Sequence, residues 1–106
     1  MLGAGGISFE SHLDRVNNPA RRILVELRDF VRSLGPNVIE DIRPHRIVYA
    51  KTMNFRIFLD IEPAGDSLVL SVRQGRAGPA SRITLKTPEE LDAAKSQITT
   101  AFEKIQ

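Results

Sequence analysis

The runs Phe55-Arg56-Ile57-Phe58-Leu59-Asp60-Ile61-Glu62 and Ser67-Leu68-Val69-Leu70-Ser71-Val72-Arg73, joined by Pro63-Ala64-Gly65-Asp66, decide the fold. In the first run Phe55, Ile57, Leu59 and Ile61 alternate with Arg56, Phe58, Asp60 and Glu62, a period of two that belongs to a strand. In the second, Leu68, Leu70 and Val72 alternate with Ser67, Val69, Ser71 and Arg73. The link is turn-forming by composition and too short for a crossover, so the two strands form an antiparallel hairpin. Upstream, Arg46 to Lys51 is rich in β-formers and adds a strand. Downstream, Gln74 to Ala80 contains Gly75, Gly78 and Pro79 and reads as a loop, and Arg82 to Lys86 alternates once more as a last strand. Asn37 to Ile42 is open between strand and loop, because Pro44 follows it closely.

Helical periodicity flanks this β-rich middle. Asn18-Pro19 signals a helix start, with Asn as the cap and Pro at the first helical position. From there Ile23, Leu24, Leu27, Phe30, Val31 and Leu34 form one apolar stripe, and Gly35-Pro36 stops the helix with a left-handed glycine cap. Ser8 to Val16 has room for a short amphipathic turn. Thr87-Pro88-Glu89-Glu90 is a capping box that opens a last helix, its stripe formed by Leu91, Ala94, Ile98, Phe102 and Ile105. Two helical stripes need one sheet face to cover. The predicted architecture is therefore an α+β two-layer sandwich, an antiparallel sheet of three to five strands with N-terminal and C-terminal helices packed on one face. Residues 1–7 read as a flexible tail and residues 8–106 as a single domain.

Composition narrows the function classes. The chain has 106 residues, 42% hydrophobic and 26% charged, the mix of an ordinary globular domain. With no cysteine, a disulfide framework, a thiolate nucleophile and sulfur-ligated zinc are excluded. The apolar runs fall far short of the ~20 residues that cross a bilayer, and the first residues lack the basic segment of a signal peptide. A cytoplasmic protein without a membrane partner is expected. The net charge of +2 is modest but unevenly spread. Residues 43–86 carry eight basic and three acidic side chains, whereas both flanking segments are slightly acidic.

The order and spacing of several segments resemble a prokaryotic domain-of-unknown-function family often labelled "predicted transport protein". The segments are Ser8-Phe9-Glu10-Ser11-His12-Leu13, Ser33-Leu34-Gly35-Pro36-Asn37-Val38, Tyr49-Ala50-Lys51 with Phe55, and Thr87-Pro88-Glu89-Glu90-Leu91. The resemblance spans nearly the whole chain and implies the same α+β domain. It brings no established activity, and nothing physical in the residues supports transport. Tyr49, Lys51 and Phe55 match its pattern without an assigned role.

No catalytic constellation emerges, and no cofactor or metal is expected. His12 and His45 lie on different elements without ligand spacing. No Gly-x-Ser-x-Gly elbow occurs. Asp60 and Glu62 share a strand face, but the acid and lysine two residues apart that a metal nuclease places on a neighbouring strand are missing, and Arg56 alternates beside them. Gln74-Gly75-Arg76-Ala77-Gly78 offers amides to an anion yet matches no phosphate-binding fingerprint.

The outward sheet face is the remaining candidate. If Phe55, Ile57 and Leu59 point toward the helices, alternation turns Arg56, Phe58, Asp60, Val69, Ser71, Arg73, Arg82, Thr84 and Lys86 outward, with Arg46 and Val48 beside them. Arg46, Arg56, Arg73, Arg76, Arg82 and Lys86 would then contact phosphates while Phe58 stacks on a base, making the chain a non-enzymatic module for nucleic acid or another polyanion. The same face, centred on Val48, Phe58 and Val69, fits a homodimer patch, and a solvated face is the third reading. A small-ligand role around His45, Tyr49, Lys51 and Phe55 is a further alternative.

Overall fold

The computed structural model describes residues 8–51, 56–73 and 80–104. Three helices and five strands follow in the order α1 (Phe9–Leu13), α2 (Ala20–Arg32), β1 (Val38–Ile42), β2 (Ile47–Lys51), β3 (Arg56–Ala64), β4 (Ser67–Val72), β5 (Ser81–Leu85) and α3 (Pro88–Lys104). The strands pair in chain order as an antiparallel meander, each with its predecessor, so β1 and β5 are the sheet edges. Helices α2 and α3 pack on each other and on the sheet. The α+β sandwich expected from the sequence is present, with the strand count at the top of its range. The segment left open before Pro44 is β1. Residues 1–7, Phe55, Arg76 and Ile105, and nearly all of the 74–80 loop, lie outside the described residues.

One layer of apolar side chains joins helices to sheet. Ile23, Leu24, Leu27 and Val31 of α2 and Leu91, Ala94, Ile98 and Ala101 of α3 meet Ile47, Tyr49, Leu59, Ile61, Leu68, Leu70, Val72 and Leu85 in one buried cluster. Phe9 and Val16 close its end. The β3–β4 link is a tight turn at Gly65-Asp66, where Ala64 pairs with Ser67 and Gly65 takes a left-handed φ of +72°. Only glycine adopts that conformation without cost.

Local signals at the helix ends are partly corrected. Thr87 caps α3 as expected: its hydroxyl accepts from the Glu90 N–H at 3.3 Å, and the Glu90 carboxylate accepts from the Thr87 N–H at 2.9 Å. The cap of α2 is not Asn18. Pro19 holds that place without a side-chain bond, and the first helical residue is Ala20. At its other end α2 finishes at Arg32 with Ser33 in a right-handed conformation, so Gly35 is no left-handed cap. Glycine there serves a close approach instead. A Cβ on Gly35 would meet Phe102 Cζ at 3.4 Å and Asn37 Oδ1 at 3.0 Å.

The largest departure lies in β3. Tyr49 pairs with Leu59, but the next residue of β2, Ala50, pairs with Ile57, leaving Phe58 as an extra residue in a β-bulge. A bulge shifts the side-chain alternation by one. Phe58, expected outward, is 0% exposed and meets Phe102 of α3 edge to face, with ring centroids 5.3 Å apart. Arg56, also expected outward, pairs with Lys51, whose Nζ sits 4.3 Å above the Phe102 ring on the helix side. Ile57, expected inward, shares the open side with Ala50.

Candidate functional site

Three groups of polar side chains compete as the functional site: the open sheet face, a half-buried ion pair between α2 and β1, and a cavity at the β1–β2 turn.

Cross-strand register divides the open face into unlike halves. In one row Asp41, Val48, Asp60, Ser71 and Arg82 stand side by side from β1 to β5. Arg43 Nε donates to Asp41 Oδ2 at 2.9 Å, and Arg46 Nη1 donates to Asp60 Oδ2 at 2.9 Å. These pairs flank Val48, which is 1% exposed although it lies on the face opposite the core. On the β1–β3 half, therefore, the arginines are answered by carboxylates. On the β4–β5 half alternation turns Val69, Ser71, Arg73, Arg82, Thr84 and Lys86 outward, and neither strand contains an acidic residue. Arg73, Arg82 and Lys86 are exposed and join no ion pair among the described residues. The Lys86 N–H does donate to the Glu90 carboxylate at 2.7 Å, which places one acid at the foot of α3.

The structure thus keeps Arg73, Arg82 and Lys86 on one accessible surface and separates them from three other expected members. Arg46 is committed to Asp60, Arg56 belongs to the helix side, and Phe58 is buried in the core. Of the apolar trio Val48, Phe58 and Val69, only Val69 retains some exposure.

Tyr49 and Lys51 do not join His45. Tyr49 is fully buried and donates its hydroxyl to Glu40 Oε2 at 2.7 Å. Arg28 grips the same carboxylate with both Nε, at 2.9 Å, and Nη2, at 3.0 Å. Its guanidinium also lies 4.2 Å above the Phe9 ring. Burial alone would raise the Glu40 carboxyl, but the bonds from Arg28 and Tyr49 hold it below its ordinary range. Burial, reinforced by the adjacent Glu40 carboxylate, pushes the Tyr49 phenol far up. A phenol so placed stays protonated. This cluster ties α1, α2, β1 and β2 together.

His45 faces a cavity of about 250 Å³ lined also by His12, Arg15, Glu62 and Pro63. The β1–β2 ladder runs unbroken to Ile42 and Ile47, the Arg43 N–H donates to the Arg46 carbonyl at 2.9 Å, and side chains from the α1 region take up two carbonyls of the turn. His12 Nε2 bonds the Arg43 carbonyl at 2.7 Å, and Arg15 Nη1 donates to the Pro44 carbonyl at 2.8 Å. Sequence reasoning set His12 and His45 apart because nothing in their spacing announces contact. Only the packing of α1 against the β1–β2 turn brings them to one cavity. Among the described residues no group of three His, Asp or Glu side chains can hold a metal ion, and no helix is long and apolar enough to cross a membrane.

No protein-family model matches the chain, and no curated protein or solved structure matches it either. The family resemblance rests on the residues that carry it.

Proposed function

We propose that the chain is a non-enzymatic binding module that presents the β4–β5 half of its open sheet face to nucleic acid. One observation carries the reading: Arg73, Arg82 and Lys86 stand on an outward surface whose two strands bear no carboxylate, while the arginines of the other half are paired. Ser71 and Thr84 stand between these cations, and their hydroxyls suit phosphate oxygens. With Phe58 in the core, no described aromatic offers a stacking platform on this face. The contact is then to the phosphate backbone, independent of base sequence and strongly salt-dependent. Arg76, adjacent in sequence to this corner, is a further candidate cation outside the described residues.

The test is fluorescence anisotropy with labelled single- and double-stranded oligonucleotides of several sequences, at low and then moderate salt. Expected are dissociation constants of about 10⁻⁵ M with little sequence preference, and a log–log salt slope of about −3, for three phosphates engaged. Absence of binding at low salt would discard the reading.

A further inference from the structure

The cavity at the β1–β2 turn is lined by two formal charges of opposite sign, Arg15 and Glu62, and neither takes part in an ion pair among the described residues. Opposite charges that face one space without closing on each other complement a ligand carrying both signs. A simple anion would be drawn to Arg15 and repelled by Glu62, and a simple cation the reverse. His12 braces the wall of the cavity. It is 2% exposed, and its Nε2 is committed to the Arg43 carbonyl. A carbonyl only accepts, so the bonded Nε2 carries a proton. Two members of the wall are held in place before any ligand arrives, Arg15 by the Pro44 carbonyl and His12 by the Arg43 carbonyl. Pre-set groups lose little freedom on binding. The volume, about 250 Å³, lies below the ~300–1,000 Å³ of pockets for drug-sized molecules, which limits the occupant to a small one.

We propose that this cavity binds a small zwitterion, a free α-amino acid being the simplest of the class. Its carboxylate meets the Arg15 guanidinium and the His45 ring, and its ammonium donates to Glu62. The site is separate from the β4–β5 face, so its fate does not depend on nucleic-acid binding.

The experiment is isothermal titration calorimetry of the full chain with each common α-amino acid. Their N-acetyl forms (ammonium removed), their amides (carboxylate removed) and inorganic phosphate are titrated in parallel. At least one free amino acid is expected to bind, with affinity falling about tenfold or more for either blocked form and for Arg15→Gln or Glu62→Gln. Glu62 is exposed and joins no ion pair among the described residues, so Glu62→Gln keeps the wild-type unfolding midpoint and isolates binding from folding even if Arg15→Gln loosens the turn. Failure of every amino acid to bind would overturn the proposal. So would affinity that survives both acetylation and Glu62→Gln, and phosphate binding as tightly as the amino acids would reassign the cavity to anions.

Discussion

Glu40 stands among groups that each need it: a guanidinium from α2, a phenol from the neighbouring strand, and the aromatic ring of α1 beneath that guanidinium. Removing its charge leaves Arg28 partly buried without a counter-ion, and such losses cost more than the intact pair contributes. Glu40→Gln, which keeps the shape, is expected to cost about 2 kcal/mol in chemical denaturation at neutral pH. The pH dependence follows from the depressed carboxyl. A group held below its ordinary value of 4.5 stabilises the fold above that value, and the contribution is lost as pH falls through the lower, folded-state value. Wild type should therefore lose its advantage over Glu40→Gln on acidification from about pH 5 toward pH 3. Parallel stability curves for the two proteins would show that Glu40 is not so held. None of this was legible in the sequence. Arg28, Glu40 and Tyr49 lie on three different elements, and only the β1–β2 register brings Glu40 opposite Tyr49.

At the scale of elements, periodicity served wherever one strand or helix could be read by itself. The α2 and α3 stripes, the Thr87 capping box and the β3–β4 hairpin each depend on spacing within about a dozen residues, and each is present. The bulge defeated the same reading. Ile57-Phe58-Leu59 is apolar throughout, so alternation can be carried through it in either phase, and the neighbouring strand makes the choice. The consequence is testable, because it moves Phe58 from a binding surface into the core. Phe58→Ala should destabilise the fold by about 3–5 kcal/mol through the vacated space beside Phe102. Phe58→Leu, closer in volume, should cost less and leave a folded protein. The affinity of the leucine variant for oligonucleotides is expected to match wild type within about twofold, a difference well under 1 kcal/mol. A large loss of affinity in that folded variant would return Phe58 to the binding surface.

For the molecule as a whole, the sequence disclosed an excess of positive charge in the middle of the chain but not how neighbouring strands divide it. Asp41 and Asp60 are remote from Arg82 in sequence, yet all three stand in one row across the sheet. That row changes character along its length. Paired charges occupy its β1–β3 end, and its β5 end holds Arg82, which joins no ion pair among the described residues. An arginine already holding a carboxylate must give up that partner to reach a phosphate, so the two ends should answer differently to neutralisation. Replacing Arg82 by Gln is expected to reduce the magnitude of the salt slope for oligonucleotide binding by about one and to weaken binding uniformly across sequences. Replacing Arg46 by Gln should leave the slope nearly unchanged, because its charge was not available for a phosphate. Freeing Asp60 would add a nearby negative charge, so a modest loss of affinity at low salt, fading as salt screens it, is the accompanying expectation. Equal slopes for the two variants would mean that the face acts only through its summed charge, and the contact surface drawn from the strand register would be wrong.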